Sequence, residues 1–368
     1  MARCWCRRSG GGAGAATGLF PPQERSLALP AEVPLTPRAA ERLGREAAVQ
    51  PFDQAARALE IDWGMTMHGR QVQRWSQALG GSLVARRDRE VLAYQERGER
   101  PQPPPNEPEL LVIGMDGGRV QSREKDQETG SRWVEDKVCT ITTYLPGDGD
   151  EKEAQPLVTT SVATMRDSTA FGPMVRVEAE RRGVRTARQI LALCDGGNWI
   201  DPLLTLFFGL IVRIIDWCHA SEHLWDAARA AFGANTPEAA MWGEKWEAML
   251  WHGKVEAVIE ALTAESQRLG PPRDDDPPQH PRRVLAQNAG YFAKHKEHMR
   301  YPEYRAKGWP IGSGVTEAAV KQFNKRVKGT EQFWLQDRAE PILMLRSLWI
   351  SQDQRWDTFW INRPAYVN

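Results

Sequence analysis

Two separate stretches of the chain end an apolar run with the same peptide. Glu109-Leu-Leu-Val-Ile-Gly-Met115 leads into Asp116-Gly117-Gly118, and Gln189-Ile-Leu-Ala-Leu-Cys194 leads into Asp195-Gly196-Gly197. Short apolar runs bounded by turn residues read as buried strands. A carboxylate just past the end of such a strand lines the crevice where ligands bind. Glycine after it allows a sharp turn and leaves room for a bulky ligand. Either peptide alone is ordinary turn chemistry. The same peptide at two apolar strand ends of one domain points to a paired-carboxylate site.

The elements around these strands predict a fold. Lys137–Leu145 and Leu157–Ala163 are rich in β-branched residues and are separated by a turn around Gly147-Asp-Gly149, which predicts an antiparallel meander with the first strand. A helix over Ser168–Arg182, the strand 189–194, a helix over Asn198–Phe208 and a strand over Ile211–Ile215 follow. Helix-rich sequence fills 219–300, and a last strong helix covers about Val315 to Val327. Three strands, then alternating β and α units, give a mixed five-stranded α/β sheet with helices on both faces. That is the order of a ribonuclease H-like fold carrying a helical insertion at about 220–305.

Before this domain, predicted to cover 109–350, two segments and a linker are expected. Residues 1–35 read as a disordered leader without the apolar core of a secretion signal. Cys4-Trp-Cys6 is either part of that leader or a remnant of a zinc module, and one pair without a second favours the leader. Residues 36–97 have helical periodicity, with a turn near Gly64 and Gly69 and then a polar, basic helix near 70–79 carrying Arg70 and Arg74. This predicts a small all-α, helix-turn-helix-like DNA-binding domain; a helical bundle with a solvated face has the same pattern. The proline-rich stretch 98–108 reads as an extended linker, and 351–368 as a C-terminal tail.

Charge narrows the reading. The 368 residues hold 48 basic and 48 acidic side chains, so any nucleic-acid contact must come from local patches. Cys139, Cys194 and Cys218 lie in apolar runs and are expected to be reduced core residues, as in the cytoplasm. The longest apolar run, Leu203 to Ile215, is interrupted by Thr205, Gly209 and Arg213, and predicts no membrane span.

A third carboxylate comes from Gly308-Trp-Pro-Ile-Gly-Ser-Gly-Val-Thr-Glu317, where Ser313 can cap the next helix and Glu317 lies in its first turn. A glutamate there also suits the helix dipole without further duty. Asp116, Asp195 and Glu317 together offer the hard oxygen ligands that magnesium takes. Such a trio can hold two Mg2+ ions roughly 4 Å apart, one favouring the attack of water or a 3′-hydroxyl and the other the departure of the leaving oxygen; Mn2+ is expected to substitute. Lys321, Lys325 and Lys328 recur on the face of Glu317, and with Arg326 they form a basic strip suited to a phosphate backbone. A solvated helix face is the plainer account of those lysines.

Four segments in order carry a family resemblance: Met115-Asp116-Gly-Gly-Arg-Val, Cys194-Asp195-Gly-Gly-Asn-Trp199, Ile215-Asp216-Trp-Cys-His219-Ala-Ser-Glu-His-Leu224 and Pro310-Ile-Gly-Ser-Gly-Val-Thr-Glu317-Ala. Over about residues 36–360 the chain resembles bacterial insertion-sequence transposases of the ISKra type. The resemblance implies a transposase whose Asp116, Asp195 and Glu317 hold the metals. It implies DNA partners, both the terminal inverted repeats and the target, with a homodimer in the synaptic complex and a nucleoid-associated cytoplasmic place. The Asp216-x-x-His219 pair resembles one that supports the site in Mutator-like transposases; a hydrogen-bonded histidine without catalytic duty fits equally. The chain departs from the pattern at Glu331-Gln-Phe-Trp334, which lacks a basic residue before the tryptophan. A structure-specific nuclease on the same fold, or a domesticated DNA-binding protein, are the competing readings.

Overall fold

The computed structural model describes residues 29–30, 32–125, 130–149, 152–329 and 332–361. Cys4, Cys6, most of the expected leader and residues 362–368 lie outside that range.

The described residues open with three helices, α1 (Pro37–Val49), α2 (Phe52–Trp63) and α3 (Gly69–Arg97). Thr36 caps α1 by accepting from Ala39 N at 3.3 Å, and Pro37 occupies the first turn, where its missing N–H costs nothing. Gly64 and Gly98 end α2 and α3 in the left-handed conformation that glycine adopts without strain. The sheet follows: β1 (Leu110–Gln121), β2 (Trp133–Leu145), β3 (Gln155–Thr164), α4 (Ser168–Arg181), β4 (Gln189–Cys194), α5 (Ile200–Phe208) and β5 (Val212–Ile215). Five helices come next, α6 (Trp217–Phe232), α7 (Pro237–Trp251), α8 (Val255–Leu269), α9 (Pro281–His295) and α10 (Tyr301–Ala306), with a 3-10 turn at Lys296–His298. The described chain closes with α11 (Gly314–Val327), α12 (Gln336–Ile350) and α13 (Arg355–Ile361).

The sheet order is β3-β2-β1-β4-β5, antiparallel from β1 to β3 and parallel from β1 through β4 to β5. This mixed α/β sheet is consistent with a ribonuclease H-like fold. Its two faces follow from alternation along the strands. Leu111, Ile113, Met115, Ala192 and Cys194 face α4 and α5, while Leu110, Val112, Leu191, Leu193 and Ile214 face the helices of 217–306.

The N-terminal helices differ from the expectation of a separate small domain. Leu43, Ala47, Leu59, Val72 and Leu79 share one core with Val120 and Val138 of the sheet and with Phe323, Ile342 and Leu345 of α11 and α12. The predicted basic helix near 70–79 is the first third of the 29-residue α3. A Cβ on Gly80 would collide with the Pro341 carbonyl, so this glycine lets α3 cross α12 closely. Among the described residues no helix is long and apolar enough to cross a membrane.

Candidate active site

The two Asp-Gly-Gly peptides are brought together by register. β1 and β4 are parallel neighbours, and their last paired residues are Met115 and Cys194. Asp116 and Asp195 therefore stand side by side, one residue beyond that pair, on strands about 4.8 Å apart.

The identical peptides do different work. Asp116-Gly-Gly was expected to turn, but β1 runs on to Gln121, paired with β2 as Asp116↔Val138, Gly117↔Lys137 and Gly118↔Asp136. The glycines there allow crowding. A Cβ on Gly117 would collide with Glu135 Oε1, and one on Gly118 would collide with Asp136 Oδ1 and stand 2.9 Å from Asn324 Oδ1. Only the second peptide turns: Gly196 has φ +85°, and Asp195 Oδ1 accepts from Gly197 N at 2.9 Å.

Glu317 arrives from the other side of the cleft. Its helix is anchored one residue earlier by Thr316, whose buried hydroxyl lies 2.8 Å from Thr140 Oγ1 and fills the space beside Gly114. The Ser313 side chain makes no cap bond, contrary to expectation. Its backbone N–H donates instead to Asp216 Oδ2, and Trp217 N donates to Ile311 O at 2.9 Å. Fully buried Asp216 thus ties the approach to α11 onto the end of β5.

Asp116 is near enough to Asp195, His219 and Glu317 to feel their charges. Burial raises the Asp116 carboxyl above its ordinary range; the Gly117 N–H, which donates to Oδ1 at 2.6 Å, and His219 oppose this, while Asp195 and Glu317 add to it. His219 Nδ1 lies 3.3 Å from Asp216 Oδ1, and that partner holds the imidazole up to about 9 against its own burial. Burial of Asp216 is more than offset by His219 and Ser313, which bring its carboxyl below the usual range.

One set of ligand atoms, on Asp216, His219 and Glu317, lies within 4.8 Å of one another. In that set Asp216 accepts from both the His219 and Ser313 backbones. Its buried carboxylate and the half-buried His219 imidazole form an ion pair beside Glu317. Asp116, Asp195 and Glu317 are partly exposed, and a Cβ at Gly312 or Gly314 would meet nothing within 4 Å. Among the described residues no set of three such ligand atoms that includes Asp116 or Asp195 lies within 4.8 Å of one another; carboxylate oxygens are the hard ligands that a magnesium-type ion takes.

The basic strip divides. Lys321, Lys325 and Lys328 are exposed, with Lys321 Nζ 3.0 Å from Glu317 Oε2. Arg326 is not a surface contact: it is 1% exposed, donates from Nε to Ala47 O at 2.6 Å and lies against the rings of Phe52 and Trp334. Burial, then Arg346, lowers its guanidinium to about 9. Arg346 donates to Ala48 O at 3.3 Å, so both arginines serve the C-terminal carbonyls of α1. Trp334 is also core, donating from Nε1 to Val327 O at 2.8 Å. Arg70 and Arg74 are exposed on the first turns of α3. Cys139 and Cys194 are buried, whereas Cys218 is exposed on α6 rather than in the core.

Three features went unseen in the sequence. Tyr291 donates to the Asp195 carbonyl at 2.9 Å and stacks on His223, and buried His295 presses on Gly196. The α9 helix thereby braces the Asp195 turn; Asn288, Tyr291 and His295, recurring at three- and four-residue steps beside Leu285 and Phe292, were the available signal. Asp136 is fully buried with neither carboxylate oxygen hydrogen-bonded, and burial raises it to about 6.

No family profile and no curated protein matches the chain. Among solved structures, the Drosophila P element transposase strand transfer complex aligns with a TM-score of 0.31 at 10% identity, covering 67% of this chain and 78% of that one. A likeness of that size leaves the argument with the geometry.

Proposed function

We propose that the protein is a metal-dependent DNA transposase in which Asp116, Asp195 and Glu317 hold the catalytic magnesium ions. The observation that carries this reading is the parallel register setting Asp116 beside Asp195 with Glu317 acting on the same cleft. Magnesium bound there would favour deprotonation of water or a 3′-hydroxyl and stabilise charge on the transferring phosphoryl group; manganese should substitute. The chain's own residues set the conditions. Asp216 fixes α11 against β5, Tyr291 fixes the Asp195 turn, and cationic His219 offsets part of the acidic charge. The carboxylates hold position and do not attack phosphorus.

The partner is DNA, first an element end and then a target. Lys321, Lys325 and Lys328 continue outward from Glu317 as an exposed row that can neutralise a backbone. Arg70 and Arg74 offer a second contact on α3. Two ends must be held at once, which calls for a homodimer in the synaptic complex.

The test incubates the protein with Mg2+ and DNA carrying the inverted repeats that flank its gene. Nicked and joined products support transposition, and nicking without joining favours a structure-specific nuclease. Binding without any cleavage favours a domesticated DNA-binding protein. Unchanged cleavage by Asp116→Asn, Asp195→Asn or Glu317→Gln would overturn the site.

A further inference from the structure

The exposed stripe of α11 begins at Glu317 and ends against an aromatic ring. Residues 317, 321, 325 and 328 fall at four-, four- and three-residue steps, on one side of the helix. Eleven residues at 1.5 Å each carry this row about 16 Å from the carboxylates. At its end, Lys328 Nζ lies 5.3 Å from the centroid of Trp133, whose side of the β1–β2 hairpin leaves it 39% exposed.

The platform is built rather than accidental. The segment following α11 is bridged to the end of β1 at one residue: Trp334 N donates to Gln121 O at 2.9 Å, and Arg123 N to Trp334 O at 2.9 Å. Arg123 Nε also donates to Phe333 O at 3.2 Å, and Arg132 reaches Arg123 O at 2.7 Å. These bonds hold a second exposed ring, Phe333, 41% accessible, on the same end of the hairpin. Around the two rings Arg119, Arg123, Arg132, Lys325 and Lys328 are exposed. Of the described acids there, Glu124 is exposed and Glu135 is paired with Lys137 at 2.6 Å.

We propose that Trp133, flanked by Lys328, is a stacking site for an unpaired DNA base a few nucleotides from the bond that is cut. A flat, fixed ring beside cations suits a nucleic-acid strand: the cations take the phosphates and the ring takes a base face of any sequence. At about 3.4 Å per phosphate along a B-form strand, 16 Å is about five steps, and fewer if the strand is extended. The inference rests on the transposase reading for its substrate, but it concerns binding and not the metal chemistry.

The test uses a forked duplex with a short 3′ overhang carrying 2-aminopurine at one overhang position at a time. Binding is followed by fluorescence with Ca2+ in place of Mg2+, and cleavage of the repeat-bearing DNA is assayed in parallel. The proposal expects quenching confined to one or two positions, lost in Trp133→Ala and kept in Trp133→Phe. Affinity for the fork should fall roughly five- to 100-fold in Trp133→Ala, with little change for fully paired DNA. Lys328→Ala should weaken fork and duplex alike and reduce the salt dependence. If the protein cuts DNA but Trp133→Ala binds and quenches as the parent does, the stacking site is wrong and the function stands. If quenching depends on Trp133 while no DNA is cut, the stacking site stands and the catalytic reading fails. Absence of any DNA binding overturns both.

Discussion

Asp136 gives the sharpest physical test of the cleft. It faces Gly118 across the β1–β2 ladder, is fully buried, and has no hydrogen-bond partner for either oxygen, while the nearby Asn324 Oδ1 also lacks one. Burial, with Glu135 and Asp116 as further negative neighbours, raises its carboxyl from 3.8 to about 6. A folded-state value above the unfolded one means that the folded protein binds the extra proton. The group therefore costs nothing below about pH 4, and its penalty grows until the pH passes 6. About two units at 1.36 kcal/mol each set the full penalty near 3 kcal/mol. Asp136→Asn keeps the shape and has no charge to bury. Urea unfolding followed by tryptophan fluorescence, in EDTA between pH 5 and 8, should show the variant gaining up to about 3 kcal/mol at pH 8 and clearly less at pH 5. An equal loss at both pH values would refute the reasoning, because it would mean that Asp136 is already charged and partnered.

Four further outcomes follow from the same groups. Asp116→Asn should abolish cleavage yet raise the thermal midpoint in EDTA, since it removes a half-buried like charge beside Asp195 and Glu317; an unfolded variant would show instead that Asp116 is structural. Mg2+ should raise the parent's midpoint by mass action and fail to do so in Glu317→Gln, as read by calorimetry. The Asp216–His219 pair should stabilise fully between about pH 4 and 6.5, lose that contribution on further acidification as Asp216 protonates, and lose it as pH rises through about 9, with the His219 ring titrating near 9 by NMR; Asp216→Asn should remove this dependence. Arg326→Ala should cost about 2–4 kcal/mol in unfolding, because it leaves the Ala47 carbonyl and a core position unfilled, while any folded fraction keeps its DNA affinity; weaker DNA binding at unchanged stability would restore Arg326 to the surface strip.

Much of the sheet was legible because its strands are short apolar or β-branched runs, and β4 falls over Gln189–Cys194 as read. The division of the basic strip was also within reach. Arg326 shares the stripe of Ala319, Phe323 and Val327, and helical periodicity alone assigns it to the buried side. What misled was the assumption that a guanidinium seeks water, when it can cap the end of another helix under two aromatic rings. The core that the N-terminal helices share with the sheet was out of reach for a related reason: periodicity shows that a helix has an apolar face but not which partner covers it.

By itself, then, the sequence determined the strands, the helices around them and the two Asp-Gly-Gly peptides that end β1's apolar run and β4. These depend on neighbours a few residues away, through side-chain alternation and turn chemistry. Tertiary structure decided that Asp116 lies in a continuing strand while Asp195 lies at a turn, because only β2 supplies the partner that extends β1 to Gln121. It decided the parallel register that sets the two aspartates side by side, and the Asp216 tie that holds Glu317's helix across from them. Those last two contacts join residues 79 and 97 positions apart, and no local pattern encodes them.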